Sequence, residues 1–183
     1  MTNVDQISCV LESKLYRFKL KHNFSQIVFL CIGSNKIIGD CFGPLVGNFL
    51  SKNIWSTDID VLGTIDNPIT YNNYFKVSNE IKKKYINPCI ISIDAALGKR
   101  NCVGEIYVGW GKIEMGKAIH KTLICESNIN IKGVVAENSN KMDNLYKLEQ
   151  VKEKDIFNLS FKTSEGIIKS LYKFYWNGNN ENI

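Results

Sequence analysis

The stretch QIVFLCIGSNKIIGDCFGP, from Gln26 to Pro44, is the strongest indicator of how this chain folds. Residues 27–32 are a continuous apolar run rich in β-branched side chains, as in a strand that is buried on both faces of a parallel sheet. Gly33 ends that run, and Gly43-Pro44 opens a helix with proline at the first position, where a missing N–H is tolerated. Asp40 therefore lies in a loop between a buried strand and a helix, where open α/β sheets build their sites. Taken alone, Asp40 is better explained as an Asx-turn or a helix cap.

The rest of the chain alternates between helix and strand patterns. Helices are predicted at 4–20, 44–52, 71–85 and 160–176, with a disordered tail at 177–183. Strands are predicted at 60–63, 89–93, 104–109, 129–136 and 146–151. The glycine-broken segment 110–122 is expected to form a surface loop. Such alternation predicts a single α/β domain over residues 1–183, with helices on both faces of its sheet.

Composition indicates an ordinary globular domain. Of the 183 residues, 44% are hydrophobic and 22% are charged, which argues against a disordered chain. The net charge is +5, but the lysines are dispersed, and the run Lys82–Lys84 falls where a helix ends and complements its dipole. We therefore expect no direct contact with nucleic acid. No segment has the length and apolarity of a membrane span, so we expect no membrane association.

The cysteines and the first residues of the chain predict a cytoplasmic protein. Six cysteines are dispersed along the chain without a C-x-x-C pair, which is typical of reduced, mostly buried thiols and disfavours disulfides or a zinc site. Residues 1–25 carry charges throughout and lack the apolar core of a signal peptide.

Two aspartates, Asp40 and Asp94, follow the two most apolar predicted strands. If those strands are parallel neighbours, both carboxyl groups lie at the same edge of the sheet. Two carboxylates in one partly buried cleft cannot both ionise cheaply, so their pKa values separate. One can then activate water as a general base while the other stays protonated and polarises a carbonyl group. Together with a histidine, the same acids would alternatively bind a divalent metal.

The two histidines differ in their relation to this edge. His22 precedes the first strand and so lies at the opposite edge from Asp40, whereas His120, in the segment 110–122, could reach the site. The chain contains no G-x-S-x-G, H-E-x-x-H, P-loop or G-x-G-x-x-G motif. Cys41 adjoins Asp40 without a histidine base beside it, so a nucleophilic cysteine is a weak interpretation.

Three segments resemble a known family: CIGSNKIIGDCFGPLVG at 31–47, SIDAALGKRNCVGEIYVG at 92–109 and GKIEMGKAIHKTL at 111–123. They look like the YyaC-type spore proteins (DUF1256) of endospore-forming Firmicutes. That family is similar in turn to the germination protease, which degrades small acid-soluble spore proteins, and more distantly to the hydrogenase maturation proteases. The resemblance implies a phosphorylase/hydrolase-like α/β fold, a three-layer sandwich with a mostly parallel sheet.

The resemblance also implies a function. The germination protease is regarded as an atypical aspartic-type peptidase, and its two proposed catalytic aspartates fall on the positions of Asp40 and Asp94. We therefore predict a sporulation- or germination-associated peptidase in which Asp40 and Asp94 are catalytic and no cofactor is needed. Contacts with the substrate are predicted at four further positions: Gly39, Gly43, Ala95 and His120. Because the hydrogenase maturation proteases hold a metal with two acids and a histidine, a divalent ion held by Asp40, Asp94 and His120 is the alternative.

Other functions and partners stay open at this point. The family usually carries asparagine where this chain has His120, and the chain also departs from the pattern at Met115, Lys117 and Ala118. These departures motivate the alternative to a peptidase, a non-catalytic sporulation protein that binds a peptide or partner in the same cleft. A phosphoacceptor domain ranks last, because Asp40 has no second acid beside it.

The expected partner is a protein or peptide, with small acid-soluble spore proteins as candidates, in the cytoplasm of the mother cell, forespore or spore core. Whether the chain forms a homo-oligomer is left open.

Overall fold

A computed structural model describes residues 3–54, 56–116, 122–139 and 141–180 of the chain. Its α-helices are α1 (Val4–His22), α2 (Phe42–Asn53), α3 (Tyr74–Lys84), α4 (Lys141–Glu149) and α5 (Glu153–Asn180). Its strands are β1 (Ile27–Cys31), β2 (Ile59–Leu62), β3 (Cys89–Gly98), β4 (Ile106–Trp110), β5 (Ile113–Met115), β6 (Leu123–Cys125) and β7 (Ile129–Glu137). A short 3-10 turn, Ile38–Cys41, leads directly into α2.

The main sheet has five strands in the order β2-β1-β3-β7-β4. The first four are parallel to one another, and β4 pairs with β7 in the antiparallel direction at one edge. Every residue of β1 is buried, as its continuous apolar sequence predicts. The carboxyl ends of the four parallel strands meet at one edge of the sheet, and the loop that carries Asp40 starts there.

Both faces of this sheet are covered. On one face, the side chains of Ile27, Phe29 and Cys31 pack with α1, α2 and α5 in the larger apolar core. On the other face, Val28 and Leu30 pack with α3 and with the hairpin formed by β5 and β6. The three-layer α/β arrangement with a mostly parallel sheet is therefore confirmed. No helix among the described residues is long and apolar enough to cross a membrane.

Helix α1 shows how local sequence defines an element and its packing. Its amino end has a capping box, in which the Asn3 side chain accepts the backbone N–H of Gln6 and the Gln6 side chain accepts that of Asn3. Its apolar stripe packs against α5, where Gly166 permits a close approach. A Cβ at Gly166 would lie 2.7 Å from the side chain of Ile7.

Two predicted segments have a different secondary structure from the one expected. The predicted strand at 146–151 is wrong, because α4 spans Lys141–Glu149 and buries Leu148 against Gly39. The predicted loop at 110–122 is wrong in part, because β5 pairs with β6 in a two-stranded antiparallel sheet. Residues 117–121 of that segment lie outside the described residues.

Two predicted elements are longer than expected. β3 does not end before Asp94 but continues to Gly98, because its pairing with β7 extends that far. α5 begins at Glu153 rather than at residue 160, and it extends to Asn180 rather than ending at residue 176. The first part of the predicted disordered tail is thus helical, and residues 181–183 lie outside the described part of the chain.

Candidate functional site

The loop from Gly33 to Cys41 brings Asp40 to the carboxyl end of β1. Gly33 has a φ of +146°, and a Cβ there would lie 2.1 Å from the carbonyl oxygen of Asp40, so only glycine fits. The N–H of Ser34 donates to that same oxygen at 3.2 Å, and the Cys41 thiol donates to the Ser34 carbonyl oxygen at 3.2 Å. These contacts close the loop on itself and fix the backbone that carries the Asp40 side chain.

The two glycines that flank Asp40 serve close packing. A Cβ at Gly39 would lie 2.8 Å from the side chain of Leu148, and one at Gly43 would lie 2.1 Å from the carbonyl oxygen of Ile32. Both glycines are buried. The contact with Ile32 brings the start of α2 onto the end of β1, and the contact with Leu148 brings α4 onto the 3-10 turn. Gly39 and Gly43 therefore position the Asp40 loop.

A cleft of about 1030 Å³ opens at this edge of the sheet. Asp40 and Asp94 both line it, from the 3-10 turn and from β3 respectively. Ala95, the residue after Asp94, lines it as well, whereas Gly39 and Gly43 are not among its lining residues. The other walls come from the segment 68–72, from β5 and from α4. The structure thus brings the two predicted acids and Ala95 into one cleft.

The two carboxyl groups influence each other electrostatically. Burial raises the pKa of Asp40 from 3.8 to about 6, although a backbone hydrogen bond from Ser34 opposes the rise. The pKa of Asp94 is raised well above its ordinary value, first by burial and then by the negative charge of Asp40. A backbone hydrogen bond from Ala95 and the charge of Lys132 lower it in part. The pair therefore favours a state in which one carboxyl group keeps its proton.

The predicted contact at His120 lies outside the described residues. The ring of His22 lies 4.4 Å from that of Phe18, and His22 is not among the residues that line the cleft. Among the described residues, no three His, Cys, Asp or Glu side chains lie close enough together to hold a metal ion. The alternative of a divalent ion held by Asp40, Asp94 and His120 therefore stays a prediction, because His120 lies outside the described residues.

Sequence reasoning missed the groups that long-range pairing brings to the cleft. Lys132 lines the cleft from β7, and Glu114 and Met115 line it from β5. Leu145 and Leu148 line it from α4, whose last residues overlap the strand predicted at 146–151. No local motif marks these positions, and the signal that would have found Lys132 is its pairing with Asp94 across the sheet.

The fold and the cleft together define a class of protein: a three-layer α/β domain with two interacting carboxyl groups at the carboxyl edge of a mostly parallel sheet. The model of the family described as "Protein of unknown function (DUF1256)" matches residues 2–166, and the chain belongs to this family. The resemblance of the three sequence segments to DUF1256 is thereby confirmed.

A curated relative agrees with this assignment. The chain is 32% identical over 162 residues to "Uncharacterized protein YyaC" of Bacillus subtilis (strain 168). This alignment covers 88% of this chain and 76% of YyaC. Among solved structures, a NiFe hydrogenase maturation protease, HycI from Thermococcus kodakarensis KOD1, is similar with a TM-score of 0.46 and 17% identity. That comparison covers 87% of this chain and 99% of HycI.

Proposed function

We propose that this protein is a peptidase in which Asp40 and Asp94 activate water for the hydrolysis of a peptide bond. The observation that carries the proposal is that both carboxyl groups line one cleft and that the charge of Asp40 opposes ionisation of Asp94. With a pKa of about 6, Asp40 is mostly ionised at neutral pH and suits a general base. Burial and the charge of Asp40 raise the pKa of Asp94 well above its ordinary value, so Asp94 is the member to which we assign the proton and it suits a hydrogen-bond donor to the carbonyl oxygen of the substrate.

In this mechanism the Asp40 carboxylate removes a proton from water while the water oxygen bonds to the carbonyl carbon. The electron pair of the C=O π bond moves onto the carbonyl oxygen, which accepts a hydrogen bond from Asp94. The intermediate then re-forms its C=O bond and breaks the C–N bond, and the leaving nitrogen takes up the proton that Asp40 holds. The products are a carboxylic acid and an amine, and the carboxyl pair has returned to its starting state.

The shape of the cleft supports a protein or peptide as the substrate. Its volume of about 1030 Å³ slightly exceeds the range of about 300–1,000 Å³ that small-molecule pockets occupy, so the cleft has room for a peptide segment. Its walls mix apolar side chains such as Leu145 and Met115 with polar ones such as Asn72. From the resemblance to the germination protease, we propose small acid-soluble spore proteins as the first substrates to test, in the cytoplasm of sporulating cells or spores.

The test compares the wild type with Asp40→Asn and Asp94→Asn. Each protein is incubated with purified small acid-soluble spore proteins and with a library of unstructured peptides from about pH 5 to about pH 9. The samples are run with and without a chelator, and cleavage is followed by mass spectrometry. Asp155→Asn, which removes an exposed acid on α5, is the matched control. Circular dichroism confirms that each variant is folded.

We expect the wild type and Asp155→Asn to cleave, and both cleft variants to lose at least about 100-fold in rate, as for removal of a general acid or base. The proposal fails if the wild type cleaves nothing, or if both cleft variants cleave like the wild type. Binding of the same proteins without cleavage would favour the other candidate function, a non-catalytic sporulation protein whose cleft holds a peptide.

A further inference from the structure

Lys132 lies next to Asp94 on the surface of the main sheet. In the pairing of β3 with β7, Asp94 is directly opposite Lys132. Paired residues on adjacent strands project from the same face of a sheet, and the strands are about 4.8 Å apart. Both side chains line the cleft. The lysine is thus a lateral neighbour of the acid that we propose as the proton-bearing member of the pair.

Packing does not explain a lysine at this position. β7 lies between β3 and β4 in the interior of the sheet, and seven of its nine residues are buried. Lys132 itself is half-buried, and a cation that is partly removed from water requires compensation by a partner. None of the ion pairs within 4.0 Å in the described part of the chain includes Lys132. Its charge acts on Asp94 from a greater distance, so the N–H groups of its ammonium can donate to a ligand in the cleft.

The other charged groups of the cleft are placed differently. Lys112 forms an ion pair with Glu126 at 2.8 Å, and both of these side chains are more than half exposed. Lys36 is exposed in the loop that precedes Asp40. Among the described residues, Lys132 is therefore the lysine that strand pairing places directly beside Asp94.

We propose that Lys132 is a third catalytic residue, whose ammonium group donates to the carbonyl oxygen of the substrate and stabilises the negative charge that this oxygen acquires. The inference rests on the proposed function and adds a residue to it. When water bonds to the carbonyl carbon, the π electron pair moves onto the oxygen, and Lys132 and Asp94 hold that oxygen from neighbouring strands. Lys132 donates a hydrogen bond in this step and transfers no proton. A fixed donor aimed at a developing oxyanion contributes about 10²–10³-fold to the rate of related reactions.

The test measures kcat and KM for the peptide that the wild type cleaves fastest. The variants are Lys132→Met, which keeps the length of the side chain without its charge, and Lys132→Arg, which keeps the charge. Lys162→Met, at an exposed position on α5, is the control. A phosphinic analogue of the same peptide, whose anionic oxygen imitates the oxyanion, is titrated against each variant by calorimetry. Circular dichroism and thermal melting report whether each variant is folded.

We expect Lys132→Met to lower kcat by about 10²–10³-fold and to weaken binding of the phosphinic analogue by a similar factor, with KM changed less than about threefold. Lys132→Arg should recover part of both losses, and Lys162→Met should match the wild type. If Lys132→Met turns over like the wild type, the inference is overturned and the proposed peptidase stands. Equal losses in Lys132→Met and Lys132→Arg, accompanied by lower melting temperatures, would also overturn it, because they indicate a structural role. If the wild type cleaves no peptide, the proposed function is refuted and this inference with it.

Discussion

Replacing Asp40 by asparagine removes a charge that the folded protein disfavours, and we expect the variant to be more stable than the wild type at neutral pH. Burial raises the pKa of Asp40 from 3.8 to about 6. Each pKa unit corresponds to about 1.36 kcal/mol, so this difference amounts to about 3 kcal/mol in the free energy of unfolding. Because the side chain keeps some contact with solvent, we expect a gain of about 1–3 kcal/mol. Asparagine is close in shape to aspartate and keeps an oxygen that can accept the hydrogen bond from Ser34.

The sign of this effect depends on pH. A carboxyl group whose pKa is higher in the folded state than in the unfolded state stabilises the fold fully below its unfolded pKa, here about 4. That contribution is lost as the pH rises to about 6, the pKa in the folded protein. The wild type therefore loses this contribution to stability across the interval, and Asp40→Asn lacks the part of the loss that comes from Asp40. Removing the Asp40 charge also makes ionisation of Asp94 less unfavourable, because that charge raises the pKa of Asp94. This second effect also makes Asp40→Asn more stable than the wild type at higher pH.

Urea unfolding followed by circular dichroism, at intervals between about pH 4 and pH 8, measures the difference. Asp60→Asn is the matched control, because hydrogen bonds from Tyr85 and then Lys84 lower the pKa of Asp60. The Asp60 carboxylate stabilises the fold above its unfolded pKa, and this contribution is lost as the pH falls. Asp60→Asn should therefore be less stable than the wild type at neutral pH. The reasoning is refuted if Asp40→Asn is less stable than the wild type near pH 8, or if its advantage does not shrink toward pH 4.

Three further substitutions test the packing and hydrogen bonding of the fold. Gly43→Ala places a Cβ 2.1 Å from the carbonyl oxygen of Ile32 and should lower the free energy of unfolding by at least about 1–3 kcal/mol; wild-type stability in urea would contradict this. Tyr74→Phe leaves the N–H of Glu126 without its acceptor at 2.7 Å and should cost about 1–3 kcal/mol, with faster hydrogen exchange at that amide; unchanged exchange would argue against it. Leu11→Ala removes a fully buried side chain of α1 and should cost about 2–5 kcal/mol; thermal melting at the wild-type temperature would be inconsistent with the core described above.

The unfavourable ionisation of two carboxyl groups in one cleft is relevant to the proposed function. Neither Asp40 nor Asp94 forms an ion pair within 4.0 Å with a lysine or arginine of the described residues, and burial is the main cause of both raised pKa values. Asp60, by contrast, has Tyr85 and Lys84 as partners. Groups that are unfavourably ionised in a cleft are candidates for chemistry, because a fold that needed them only for stability would supply such partners.

Much of the fold follows from local sequence. The apolar run of β1 predicts a strand buried on both faces, and the spacing of Ile7, Leu11 and Leu15 predicts the packed side of α1. Gly33 and the Gly43-Pro44 pair predict the turn and the helix start that place Asp40 between them. These features depend on interactions between residues near one another in the chain, so the order of the amino acids is enough to predict them.

Only the tertiary structure decided which distant groups meet in the cleft. β5 and β6 have three residues each, too few for a periodic pattern, and they are stable because they pair with each other over a part of the hydrophobic core. The direction of β4 and the lateral pairing of Asp94 with Lys132 are properties of the sheet as a whole. The burial that raises the pKa values of Asp40 and Asp94 likewise comes from elements far apart in sequence. Hydrogen bonding between strands, and the removal of water that accompanies it, is non-local, so the chemistry of this site emerges only when the chain is folded.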